Sequence, residues 1–299
     1  MKKLLWATLA FLLAAPPLAA EAAAGVSWHL PAGSGIALKE AVKRLKGYDV
    51  VMFGEYHDQN ALHQEQLAFL KEYCRIQDGN VALSLEMIEK DVAAQLKKYI
   101  DGAISEEEFI KSSRPWKNYR EAYAPLVEFA KARGLDVIAA NIPRRIASQY
   151  ARTGSLDAVD AKDRVYLPRR HWADKDRYWE EFSSVMNGAG GEARAMSLPK
   201  EKIWDFYRAQ CLKDDVMAQS IADYLALNPT RKVLQLQGTF HGRLHLGVAD
   251  KLQRLVPGLK IAVISPVFME ENAQKDALAA EHEKEGDLLL LVKKERPKS

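Results

Sequence analysis

Six short apolar runs, separated by longer segments with helical spacing, constrain this chain more than any other feature. They are Asp49–Gly54, Val81–Glu86, Leu135–Asn141, Lys232–Gly238, Lys260–Ser265 and Asp287–Val292. Each is apolar at consecutive positions and rich in β-branched residues, so each has two faces to bury, as strands of a covered sheet do. Alternation with helices predicts an α/β fold, a mostly parallel sheet with helices on both faces. Between the first two runs, Asn60–Cys74 places Leu62, Leu67, Leu70 and Tyr73 on one helical stripe, with Asn60 or Asp58 available as its cap. Helices are also expected over Val92–Tyr99, Glu106–Lys111 and Tyr123–Arg133, the last closed by Gly134. From Ile142 to Leu227 the rhythm breaks. Helical patterns near Arg145–Arg152, Asp174–Met186 and Lys200–Leu227 read as a helical insertion at about 142–227, within a single domain spanning 23–299. Asn187–Gly191 is its expected flexible loop.

A hydrophobic content of 48% over 299 residues is enough for one large core. The formal net charge of +3 leaves no basic excess of the kind nucleic-acid binding needs. The first residues carry Lys2 and Lys3, an apolar run from Leu4 to Ala15, and the small-residue match Ala20-Glu21-Ala22. That pattern predicts a cleaved signal peptide over 1–22 and a periplasmic mature protein. No cysteine lies near the cleavage site, so lipid anchoring is not expected. The two cysteines, Cys74 and Cys211, each fall in an expected helix, where pairing and simple burial are both open.

In open α/β sheets ligands gather beyond the carboxyl ends of the strands, so the polar residues that end each run matter most. The first run ends in Gly54-Glu55-Tyr56-His57, the second in Glu86, the third in Asn141 before Arg144, and the fourth in Gly238-Thr239-Phe240-His241. Two strands thus end in Gly-x-x-His. Glycine lets the backbone turn as it leaves the sheet, and an imidazole follows three residues later. His57, His241, Glu55 and Glu86 form a candidate divalent-metal set, with Mn, Co or Zn as the ion. Glu86, at the end of a buried run, needs a partner, and Arg144 is the expected one. The remaining histidines carry less signal. His63, in the first turn of its helix, fits an exposed cap as well as a pocket. His245 follows His241 at i+4 but lacks the glutamate of a zincin motif, so it reads as a helix-face residue. His29 and His282 lie in segments expected to be exposed, and His171 sits in an aromatic-rich stretch where packing is the default.

Several of these motifs, in order along the chain, resemble the ChaN-type haem-binding proteins. They are Gly54-Glu55-x-His57, His63-Gln64-Glu65-Gln66, Trp116 with Tyr123-x-Pro125, Ala140-Asn141-Ile142-Pro143-Arg144, Cys211-Leu212-Lys213-Asp214-Asp215-x-Met217-Ala218 and Gly238-x-Phe240-His241. That family is more distantly similar to TraB/Tiki-type metalloproteases and erythromycin esterases. The resemblance implies an exported haem-binding protein of iron acquisition with tyrosine as axial ligand, forming a homodimer on haem binding. An outer-membrane receptor or inner-membrane transporter would exchange its cargo. Tyr123, in the Tyr-x-Pro motif, is the first candidate ligand, followed by Tyr119 and Tyr56. His63 and Arg144 join them as cofactor-binding candidates, and Lys213 and His171 are candidates for the propionates. Trp116, Tyr119, Tyr123 and Phe240 would supply apolar walls. The same constellation also fits a metal-dependent, peptidase-like hydrolase in which Glu55, Glu86 and Arg144 act catalytically. A metal-independent esterase with a histidine general base is the third reading.

Overall fold

The computed structural model describes residues 25–188 and 199–295. Eight strands form one sheet: β1 Val26–His29, β2 Gly35–Ile36, β3 Val50–Glu55, β4 Val81–Glu89, β5 Asp136–Asn141, β6 Lys232–Gly238, β7 Ile261–Met269 and β8 Leu288–Lys293. Their order across the sheet is β2-β1-β8-β7-β3-β6-β4-β5. The six strands from β3 to β8 pair in parallel, and β1 joins antiparallel to β8. The α/β class and the mostly parallel sheet are as the sequence predicts. The β1–β2 pair is new, because VSWH is too short and too close to the amino-terminal apolar segment to stand out.

The central strand β3 lies between β6 and β7, with Phe53 beside both Leu236 and Ile264. Its alternating side chains enter two separate cores. Val51 and Phe53 pack with the helices Asn60–Ile76, Ala93–Ile100 and Ala124–Ala132 on one face. Val50 and Met52 pack with Met217, Ile221 and Leu252 from the helices Lys200–Leu227 and Val248–Leu255 on the other. Each such large apolar side chain, fully buried, contributes about 1.5–3 kcal/mol. Between β5 and β6 the described residues hold the helices Arg144–Thr153, Arg177–Met186 and Lys200–Leu227 and no strand. Asn187 and Gly188 form a turn, and the rest of the expected loop lies outside the described residues, as does the 1–22 segment. No helix among the described residues is long and apolar enough to cross a membrane.

Two expectations change and one open choice closes. The helix Asn60–Ile76 begins without a side-chain cap from Asp58 or Asn60; instead the Ala61 N–H donates to the Glu295 carboxylate at 2.6 Å. Cys74 and Cys211 are both free and buried, in different hydrophobic clusters. His29 is buried rather than exposed, its ring bonded to Ser27 and to the Gly33 carbonyl.

Candidate functional site

Beyond the carboxyl ends of the central strands lies a cavity of about 630 Å³, and Glu55, Tyr56, His57, Glu86, Asn141, Arg144, Lys213, Gly238, Phe240 and His241 all line it. Residues from four parallel strand ends therefore converge where the sheet stops and backbone pairing no longer fills the space.

Glu55 closes β3 and is fully buried. One of its oxygens accepts from the Tyr123 hydroxyl at 2.6 Å and meets His57 Nδ1 at 2.8 Å. The other accepts from Gln66 Nε2 at 2.9 Å. His57 is thereby oriented through Nδ1, while its side chain stays 45% exposed and its ring lies edge-on to Trp116. Burial lowers the His57 pKa, but the bond to Glu55 and the charges of Glu86 and Glu55 outweigh it and hold it above the ordinary imidazole value.

The second motif is built differently. His241 is buried; its Nε2 meets Glu86 at 3.1 Å and its Nδ1 bonds Asp214. Burial opposes its charge, yet Glu86 and Asp214 push its pKa up to about 9. Glu86 also accepts the Gly238 N–H at 2.7 Å. Burial works against its ionisation, but the His241 charge and bond hold Glu86 well below the carboxylate range. For Asp214 burial wins, and its pKa is raised. Glu86 thus finds its cationic partner in His241, not in Arg144 as expected. A buried imidazolium between two carboxylates satisfies all three only while they stay together.

Neither glycine is needed for a positive φ. A Cβ on Gly54 would lie 3.0 Å from Pro266 Cδ, 3.1 Å from the Ile264 carbonyl and 3.1 Å from Thr239 Cα, in the crowd between β7 and β6. A Cβ on Gly238 would meet the His57 ring at 3.0 Å. The glycine of one motif makes room for the histidine of the other. The turn-forming role expected from sequence gives way to close approach.

The other candidates separate by depth. Tyr123 is fully buried beneath the cavity, its hydroxyl spent on Glu55; burial and the Glu55 charge push its pKa far above the phenol range. Tyr119 is buried against Phe109 and does not line the cavity either. Of the three tyrosines only Tyr56 does. Its ring stacks on Phe268, centroids 3.9 Å apart, and its hydroxyl donates to the Pro266 carbonyl at 3.1 Å. His63 is buried under the site, bonded to Gln66 and to the His57 carbonyl, so it is neither an exposed cap nor a cavity wall. His171 is held away from the cavity by Asp215 at 2.6 Å and Tyr150 at 3.0 Å. His245 lies on a short 3₁₀ turn rather than an α-helix and pairs with Asp287 at 3.1 Å. Among the described residues no group of three or more His, Cys, Asp or Glu side chains is placed to hold a metal ion. Sequence reasoning gave no role to Asp214, Gln210, Phe268 or Lys294. For Asp214 a signal existed: an Asp pair inside a buried helical stretch must find partners.

With this geometry in place, the comparisons with known proteins are specific. A family model described as "Haem-binding uptake, Tiki superfamily, ChaN" matches residues 41–252. The chain belongs to this family. Its fold matches the solved structure "Cofacial heme binding to ChaN of Campylobacter jejuni" with a TM-score of 0.68 and 18% identity, over 91% of this chain and 98% of that one. Among curated proteins it is 24% identical over 247 residues to Protein RETICULATA-RELATED 5, chloroplastic, of Arabidopsis thaliana, which covers 76% of this chain. The chain spans about a third (32%) of that relative's length.

Proposed function

We propose that this chain carries haem in the strand-end cavity, as an exported protein of iron acquisition. The observation that supports this best is the make-up of the walls. Trp116, Phe240, Ile142 and the Tyr56–Phe268 stack give broad apolar faces, and Arg144, Lys213 and Lys294 stand among them as cations. A volume of about 630 Å³ lies within the roughly 300–1,000 Å³ usual for ligand sites. The donor set fits haem, whose iron takes an axial protein ligand and whose propionates need cationic partners.

Each residue then has a task. Tyr56 is the tyrosine at hand as axial ligand, because Tyr123 and Tyr119 are sealed in the core. Arg144 and Lys213 neutralise carboxylate arms. His57, fixed by Glu55, offers Nε2 to the cavity as a hydrogen-bonding or proton-holding atom. Glu86, His241 and Asp214 form the charged floor that keeps Gly238 and His57 in place. Periplasmic location after signal cleavage, a haem-linked homodimer, and exchange with an outer-membrane receptor or inner-membrane transporter belong to the same reading.

Haemin titrated into the purified protein should give a saturable Soret change with tyrosinate charge-transfer absorption, and Tyr56→Phe should abolish that absorption while leaving the fold intact. Wild-type protein that gives no saturable change would remove haem from the proposal; an unchanged Tyr56→Phe spectrum would remove Tyr56. The buried Glu55 behind His57 also favours a second reading, a metal-independent esterase with His57 as general base. Hydrolysis of p-nitrophenyl esters that survives chelator and disappears in His57→Ala is its test.

A further inference from the structure

A second concavity runs along the outer face of the helix Asn60–Ile76. It holds about 910 Å³, and none of its lining residues lines the strand-end cavity. Gln64, Leu67, Ala68, Lys71 and Arg75 line it at helical spacing, so a single stripe of that helix runs the length of the groove. Leu38 and Lys39, at the start of the helix Leu38–Arg44, and Phe129 and Arg133, at the end of the helix Ala124–Ala132, complete the walls.

Floor and rim differ in chemistry. Leu67, Ala68 and Phe129 are half-buried and packed on the main core, and Cys74 beside them is 7% exposed. Lys39, Lys71 and Arg133 are exposed and make no ion pair among the described residues; Arg133 stands 5.5 Å from the centre of the Phe129 ring. Of the two lining carboxylates, Glu72 is already bonded to Arg75 at 2.6 and 2.9 Å, which leaves Asp78 against three unpaired cations. The groove therefore favours an anion with an apolar body.

Its width narrows the choice further. Gln64 to Arg75 rises roughly 16 Å at about 1.5 Å per residue, and the volume spread over that length gives a cross-section of roughly 55 Å². A helix with its side chains, about 10–12 Å across, needs roughly 80–110 Å². An extended alkyl chain is narrow enough, covers the half-buried apolar faces, and needs charge compensation only at its head.

We infer that this groove binds a long-chain carboxylate, its alkyl chain on Leu67, Ala68 and Phe129 and its head between Lys71 and Arg133. The site stands apart from the strand-end cavity and does not depend on the haem reading.

The test uses cis-parinaric acid, a fluorescent polyene fatty acid, with dodecanoate and dodecanol as competitors. Parinarate should bind saturably and be displaced by dodecanoate far better than by dodecanol. Lys71→Gln and Arg133→Gln should each weaken binding about threefold, and about tenfold together. Ala68→Trp, which puts an indole into the groove, should abolish it while haemin titration stays as in wild type. Dodecanoate should also slow the reaction of Cys74 with a thiol reagent, Cys74→Ala identifying that signal. No saturable fluorescence, full binding in Ala68→Trp, or equal displacement by dodecanol would overturn the inference. So would protection of Cys74 by an acidic helical peptide and not by dodecanoate, which would give the groove to a protein partner. Matched thermal unfolding of each variant controls for folding.

Discussion

The two Gly-x-x-His strand ends carry the same pattern, leave adjacent parallel strands and meet in one cavity, yet they divide its work. In the first, Gly54 is locked among Pro266, Ile264 and Thr239, and His57 stands at the opening with one nitrogen tied. In the second, Gly238 faces the open His57 ring, and His241 is buried with both nitrogens on carboxylates. The histidine of the first motif is available for chemistry; that of the second is part of the foundation. Identical spacing therefore does not mean identical function, because burial and partners are set by the neighbouring strand and not by the tetrapeptide.

The contrast is open to measurement. The largest effect belongs to His241→Ala, which strands Glu86 and Asp214 without their shared cation and should lower unfolding free energy by about 3–5 kcal/mol in denaturant titration. A loss under about 1 kcal/mol would erase the distinction between the motifs. Next comes Gly54→Ala, expected to cost about 1–3 kcal/mol because its new methyl meets backbone on both sides. Gly238→Ala should cost less, since the half-exposed His57 ring can swing away, and should instead disturb ligand binding. If the two alanines cost the same, the glycines are not doing different jobs.

The pH dependence is smaller and has a definite sign. His241 is raised from 6.5 to about 9 in the fold. Its contribution is complete below the unfolded value and is lost as pH rises through the folded one, so midpoint denaturant concentrations should fall between about pH 6.5 and pH 9. In His241→Gln that slope should flatten. The smallest stability effect is that of His57→Ala, within about 1 kcal/mol, because the ring is half-exposed and Glu55 keeps Tyr123 and Gln66. A larger loss on chemical unfolding would show that His57 is structural after all.

Much of the sheet was legible because buried parallel strands must be apolar on both faces. Two strands run further than their patterns indicate. β4 continues past Glu86 to Glu89, since Glu86 is paid for by His241 and Gly238. β7 continues through Pro266, which falls beyond the last residue paired with β3, where β8 alone remains as neighbour. A proline lacks the N–H that a doubly paired position would use, so that is where the strand can hold it. The site was legible in its outline: Glu55, His57, Glu86, Arg144 and His241 all reach one cavity. The tyrosines were not, because eleven of them share one chemistry and only packing separates core from wall.

Local pattern alone determined which segments are strands, where they stop, and which polar groups gather beyond them, because burial on two faces and the end of backbone pairing are written in single stretches of chain. Which imidazole is sealed and which is open, and which tyrosine lines the cavity, were decided by the tertiary structure. Those outcomes depend on residues far apart in the chain arriving at distances of about 3 Å, where hydrogen bonds and close packing take effect.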